Sequence, residues 1–451
     1  MVAIIIPVMQ KLNRLPYLVS IVLLVYVPFH IFLSQSVSLA TGGLDIWKIG
    51  KDAVLILGCL FTICLVYLQG KGNRAFRWLL SAAFIYGLLH VVLWAANSNE
   101  IYDRSAALGI IYNMRLPLAA ILGFGAVLLM PKFVLSSVVK TILVVSTIVA
   151  TLGIIQFFLP SDILTHAGYS LDRGARPAFF IDDNQDLPPR IMSTLREPNA
   201  LGAYLILPAA ALLVLSLKAP EKRRQLFLVI AFVLHTLAIV LTFSRSAWLG
   251  LILASSLILY WQYGRTITGY IKRFWLALVC LLVLAGIGAF AMRNSGLFQQ
   301  YITHSNSEEQ VQDLDSNDYH LLFLQRGLEG IRDEPLGHGP GTAGLASIQN
   351  PEGSFLTENY YVQIGYELGV LGLVLFLTLN VWMYRRLLHD SQNNGGWAKV
   401  LMASFWAYVL TNMLLHTWAN EAVAIQWWLL AGMFAALVSL PKDKSRHDRS
   451  L

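Results

Sequence analysis

Long apolar runs separated by short polar breaks dominate this chain. They fall at about 17–35, 52–69, 78–96, 106–130, 133–159, 200–217, 226–243, 246–262, 274–292, 359–383, 400–416 and 422–440. Most have about the 18 to 25 residues needed to cross a hydrocarbon core of about 30 Å. Backbone polar groups must be satisfied inside lipid, so the runs are helices. The pattern predicts an all-α, polytopic membrane protein of about twelve transmembrane helices. Met1 to Gln10 is apolar but short, and Lys11 and Arg14 follow it instead of preceding it. The first span therefore reads as an uncleaved signal-anchor, not a cleaved signal peptide.

Two interruptions are too long for simple turns. The first, Pro160 to Asn199, contains Asp172, Arg173, Arg176, Asp182-Asp183-Asn184 and Pro188-Pro189-Arg190. The second, Arg293 to Glu358, is polar for much of its length. Within it Leu321, Leu324, Leu328 and Ile331 recur at helical spacing, and Pro335 ends the pattern. A glycine-rich turn follows at Gly337–Gly344. The expected organisation is N-terminal transmembrane helices over 1–159, core helices with the first outer loop over 160–292, a large, partly helical outer loop over 293–358, and C-terminal helices with a basic tail over 359–451. The sequence shows no internal repeat and no coiled-coil heptad.

Composition agrees. The chain of 451 residues is 56% hydrophobic and 13% charged, where a soluble domain carries nearer a quarter charged residues. The net charge of +7 follows a positive-inside bias. With a cytoplasmic N-terminus, alternate loops place Lys71, Arg74 and Arg77 inside, then Lys218, Lys222, Arg223 and Arg224, then Arg265, Lys272 and Arg273, then Arg385 and Arg386, and finally the tail with Lys442, Lys444, Arg446 and Arg449. Both termini are then cytoplasmic and both long loops face outward. The basic charge is thereby explained, and nothing further supports nucleic-acid binding. Cys59, Cys64 and Cys280 lie within apolar runs without metal-binding spacing and read as packing residues.

Charged and polar residues gather on the outward side. Arg190 and Arg196 precede Pro198-Asn199, which open an apolar span; a helix start of this kind is a ready anion site. Arg245, in Thr242-Phe243-Ser244-Arg245, stands at the membrane boundary between two runs, against the positive-inside trend. Glu358 and Asn359 open a long helix, where the carboxylate is a base, an arginine partner or a simple cap. Glu367 lies about two turns deeper and is expected to meet a buried partner. Asp313, Asp315 and Asn317 begin like a calcium loop, but Asp318 and Leu324 stand where glycine and glutamate are required. His338 reads as a turn residue before a catalyst, and Arg115, near Pro117, receives no role.

Taken in order, these motifs resemble the O-antigen ligase and polymerase superfamily. They are R-x-x-S-x-x-x-x-P-N from Arg190 to Asn199, T-x-S-R at Thr242–Arg245, P-x-G-x-G-x-G from Pro335 to Gly341, x-N-x-Y at Glu358–Tyr361, and E-x-G-x-x-G from Glu367 to Gly372. The resemblance covers roughly 150–375. It implies a metal-independent, inverting glycosyltransferase without cofactor, acting on an undecaprenyl-diphosphate-linked glycan at the outer face of the bacterial cytoplasmic membrane. By match, Arg190 and Arg245 fall on diphosphate-binding arginines, and Asn199 and Asn359 fall on motif asparagines. Gly339 and Gly341 belong to the glycine motif. His320 stands where the family's loop helix usually begins with arginine, and Arg326 follows one to two turns later. Glu358 replaces the histidine typical of ligases, which favours a polymerase.

The chemistry fits the residue types. Arginines, here Arg190, Arg196, Arg245 and Arg326, hold a leaving diphosphate bidentately and stay charged, and without a metal they carry its electrostatic role. Glu358 is first choice as base for the acceptor hydroxyl and His320 second. Expected partners are the lipid-linked glycan, membrane lipid, a glycan or lipid acceptor and a chain-length regulator. Two alternatives stay open: ligation to a lipid, protein or wall acceptor, and transport of anionic lipid-linked glycans, which would more typically bring internal repeats and charges at the membrane midplane.

Overall fold

The computed structural model describes residues 2–97, 101–130, 134–181, 184–264, 266, 316–351, 353–394 and 396–440. The predicted span at 274–292, Cys280, Asp182-Asp183 and the start of the large loop from Arg293 lie outside them. Helix α1 (Val2–Tyr26) runs through a 3₁₀ turn at Pro28 into α2 (His30–Thr41), so the first apolar run is a bent helix whose start reaches back to Val2. Helices α3 (Leu44–Leu68), α4 (Arg74–Ala96), α5 (Asp103–Leu129), α6 (Val134–Phe157), α7 (Pro198–Lys218) and α8 (Lys222–Leu241) follow. Next come α9 (245–264), α10 (Ser316–Asp333), α11 (Tyr360–Asn394), α12 (Trp397–Leu414) and α13 (Glu421–Leu437). Among the described residues, eight helices are long and apolar enough to cross a membrane. The runs predicted at 246–262, 400–416 and 422–440 are also helical, as α9, α12 and α13, though they are not among those eight. The protein is a helical, multi-pass membrane protein.

Which helices lie inside follows from side-chain size. Lipid is as apolar as leucine, so burial between helices is driven by close packing of small residues. Helix α5 carries Ala119-Ala120 and Gly123-Phe-Gly125-Ala126, and α13 carries Ala431-Gly432 and Ala435-Ala436. The two pack along each other at the centre. A Cβ on Gly123 would stand 2.1 Å from the Leu429 carbonyl oxygen, and one on Gly432 would stand 2.1 Å from that of Ala120. Helices α4 and α8, richer in large aliphatic and aromatic side chains, expose Phe84, Leu88, Phe227 and Ile230 instead.

A buried ion cluster crosses this core. Arg115 donates to both carboxylate oxygens of Asp52, at 2.7 and 2.9 Å, and lies 3.4 Å from Glu421. Its guanidinium also stacks over the Tyr112 ring at 4.2 Å. Lys51 lies 3.3 Å from Asp52, and His30 lies 3.2 Å from Glu421. This fork–fork geometry is what holds a guanidinium out of water.

Helix α11 is broken at Gly369, whose φ of 66° and ψ of −173° leave the helical region. The backbone groups opened there pair with the glycine-rich turn. His338 N donates to Tyr366 O at 2.9 Å, Gly339 N to Glu367 O at 2.8 Å, and Val370 N to Pro335 O at 3.0 Å. Glu367 finds a buried partner, as expected, though the partners are neutral donors. Its carboxylate accepts from Gly341 N and from Asn113 Nδ2, both at 3.0 Å, and Asn113 accepts from the Tyr360 hydroxyl at 3.0 Å. Gly341 has φ of 77°, and a Cβ there would meet the Ser105 carbonyl oxygen at 2.1 Å. Gly341→Ala is therefore expected to cost about 1–3 kcal/mol through backbone strain and overpacking. Melting in detergent, compared with Gly50→Ala, where the backbone is helical and a Cβ meets nothing within 4 Å, measures it; equal melting of the two would mean that the turn does not need glycine here.

Candidate functional site

The segment before α7 delivers the first cation. Phe179–Phe180 and Pro189–Arg190 form a short antiparallel pair with Phe179 opposite Arg190. The loop carrying this pair docks on α2 through Arg173, which donates to the Gln35 carbonyl at 3.0 Å and the Gly168 carbonyl at 2.9 Å. Arg190 is then oriented from two sides: its Nε donates to Thr242 O at 2.9 Å and its Nη2 to Asn199 Oδ1 at 3.0 Å. The motif asparagine of α7 thus has a physical task, since it accepts from one edge of the guanidinium and sets its direction.

The turn between α8 and α9 delivers the second cation. Thr242 Oγ1 donates to Ile239 O at 2.6 Å and accepts from Ser244 N at 3.2 Å. Trp248 Nε1 donates to Ile239 O at 3.1 Å. These contacts close a tight reversal that points Arg245 into the same space as Arg190.

The carboxylate comes from the segment before α11. Asn359 caps that helix, its Oδ1 accepting from Tyr361 N at 2.9 Å and Val362 N at 3.1 Å, while its Nδ2 donates to Met413 O at 3.0 Å. Glu358, one residue outside the cap, is thereby held half-buried. Its Oε2 lies 3.2 Å from His320 Nδ1, presented by α10. His416, in the break between α12 and α13, completes the group through Thr357 Oγ1 at 3.3 Å. Burial holds the His416 imidazole below its ordinary range, with Glu358 pulling it up and His320 pushing it down.

One cavity of 530 Å³ joins these parts. Arg190, Asn199, Ser244, Arg245, Ser246, His320 and Glu358 line it, with Phe243, Leu249, Leu321, Leu324 and 413–415 supplying apolar wall. Backbone strain concentrates around it. The non-glycine residues with positive φ among those described are Ser193, Phe243 and Glu358, at 53°, 49° and 53°. Phe243 and Glu358 line the cavity, and Ser193 follows Arg190 by three residues. Such conformations cost about 1–3 kcal/mol each and persist where surroundings over-determine them, typically at functional sites.

The expected site residues divide accordingly. Arg190, Arg245, Asn199, His320 and Glu358 meet in one space. Arg196 does not line it; it stands beside Glu197, whose carboxyl burial pushes up while Arg196 and Arg190 pull it down. Arg326 is exposed on α10, over the Phe323 ring at 5.6 Å. Asn359 caps the helix behind Glu358 without lining the cavity, and Gly339 and Gly341 pack instead against the break in α11 and the start of α5. His338 stacks on Tyr366 at 3.8 Å and stands outside the cavity, as a turn residue. His416 was hidden from sequence reasoning because it ends an apolar run and belongs to no recognisable spacing.

Residues 229–377, about a third of the chain, match the family model described as O-antigen ligase. The match contains Arg245, His320 and Glu358, while Arg190 and Asn199 precede it. No curated protein matches the chain. Membrane helices and the matched domain agree: the protein is a membrane glycosyltransferase whose residues 229–377 match the O-antigen ligase model.

Proposed function

We propose that the protein polymerises undecaprenyl-diphosphate-linked oligosaccharide units by inverting, metal-independent glycosyl transfer on the outer face of the cytoplasmic membrane, with both termini cytoplasmic. The observation that carries the reading is the shared cavity: two arginines and a carboxylate–histidine pair, brought from four separate segments, face one space of 530 Å³.

Glycosyl transfer needs opposite charges at its two ends. Arg190 and Arg245 bind the diphosphate and stabilise the negative charge it gains as its bond to the anomeric carbon breaks. Glu358 takes the proton of the acceptor hydroxyl as that oxygen attacks the carbon from the opposite side. The electron pair leaves with the diphosphate, and the carbon inverts. His320 orients the carboxylate. Asn199 and Thr242 hold Arg190 in register. Arg196 and Arg326, away from the cavity, are proposed as outer contacts of the glycan or carrier.

The test uses purified protein in detergent with an undecaprenyl-diphosphate-linked oligosaccharide, with and without divalent metal, and mass spectrometry of the products. A ladder of longer lipid-linked glycans is expected. In Arg245→Ala it should fall about 10²–10³-fold, the loss typical of one preorganised electrostatic contact. A single transfer, seen only after a distinct acceptor is added, would replace polymerisation by ligation. Binding without turnover under every acceptor would overturn the reading in favour of transport.

A further inference from the structure

A second cationic pocket lies far from the cavity. Arg386 is 17 residues beyond the break at Gly369 along α11, roughly 26 Å at helical rise, while Glu358 and the cavity lie on the other side of that break. There α11 meets the start of α4 and the end of the α13 segment around a cavity of 390 Å³ lined by Asn73, Arg74, Ala75, Trp78, Trp382, Arg386 and Ser439. The lining holds two guanidinium groups and no carboxylate. Trp78 and Trp382 stack at 4.5 Å with an interplanar angle of 16°. Arg386 sits over the Trp382 ring at 5.8 Å.

Arg386 is anchored and yet incompletely matched. Its Nη2 donates to Ala435 O at 3.2 Å and to Ser439 Oγ, whereas its buried Nε–H has no acceptor among the described residues. A buried donor of this kind is costly. Two arginines that cannot neutralise each other, beside a donor lacking an acceptor, call for an anion.

The position says which anion. Arg74 is the first residue of one candidate membrane span, and Arg386 lies within the last turn of another ending at His389. Both stand at the height of lipid headgroups, where tryptophan is also enriched. The adjoining surface of α4 is apolar and exposed, with Ile85 and then Val92 on the face that carries Arg74 and Trp78. A ligand here has its charged part in the pocket and its apolar part along α4. We propose that this pocket binds the phosphate of an anionic glycerophospholipid. Basic pockets between membrane helices take such headgroups, and the stacked indoles flank its glycerol region. The inference is independent of the glycosyl-transfer reading.

The full-length protein in detergent, titrated with equimolar phosphatidylglycerol and phosphatidylcholine and read by native mass spectrometry, tests it. Phosphatidylglycerol should be retained in preference. Arg74→Gln, an exposed change that leaves packing alone, should weaken that retention about fivefold, and Arg74→Gln with Arg386→Gln about thirtyfold. Melting without added lipid checks that each variant is folded; if the double variant is not, Arg74→Gln alone carries the comparison. Equal retention of the two lipids by the unaltered protein, or an unchanged preference in folded Arg74→Gln, would overturn the proposal. Displacement of the lipid by millimolar inorganic phosphate would overturn the lipid source and leave a free-anion site.

Discussion

Glu358→Gln is expected to lower glycan transfer about 10³-fold, within the range for loss of a positioned general base. The change keeps the shape and one acceptor oxygen, and removes the negative charge and with it the ability to take a proton. The His320 contact at 3.2 Å survives as a hydrogen bond to an amide, and the Asn359 cap is untouched. Melting and elution should therefore match the unaltered protein, and binding of the lipid-linked substrate should persist, because Arg190 and Arg245 remain. His320→Asn should cost much less, about tenfold, if the imidazole only steers the carboxylate. Turnover rates from a single substrate concentration series for both variants decide the matter. Full activity in Glu358→Gln would sink the base role. His416, whose imidazole burial holds below its ordinary range near the same carboxylate, would then be the group to replace next.

The second large effect concerns stability. Asp52→Asn is expected to destabilise the protein by about 3–5 kcal/mol, the cost of leaving a buried charge without its partner. Arg115 is 2% exposed and makes its two shortest contacts with Asp52. Glu421, at 3.4 Å and shared with His30, cannot replace them. Melting should fall sharply in detergent. Asp52→Asn combined with Arg115→Met should recover much of the loss, since an apolar replacement of a whole buried pair is often neutral or better. If the single and double variants melt alike, the pair does not hold α3 against α5 as argued.

Sequence and structure part company at particular residues. Arg190, Arg245 and Glu358 were legible because charge at the end of an apolar run is expensive and therefore conspicuous. The helical repeat of Leu321, Leu324, Leu328 and Ile331 likewise located α10, which begins at Ser316. The partners of Arg115 were not legible. Asp52 lies 63 positions away and Glu421 306, and no local pattern connects residues that only the bundle brings together. The break at Gly369 was not legible either, for a related reason. Gly365, Gly369 and Gly372 have the spacing of a small-residue contact face, and nothing in the spacing distinguishes a glycine used for closeness from one used for a positive φ. Asn199 was recognisable as a motif residue, but its task depends on where the Arg190 guanidinium lies.

The broken helix also says something about the order in which the protein is made. The polar groups exposed at Gly369 are capped by Pro335, His338 and Gly339, which lie only about thirty positions earlier in the chain. During synthesis these caps have already emerged when α11 arrives. The interruption is closed by neighbours, with a small loop-closure cost, and α11 never has to wait in the bilayer with its backbone unmatched. The seam between α5 and α13 has the opposite character. It cannot form until α13 is complete, so through most of translation the carboxylate available to Arg115 is that of Asp52.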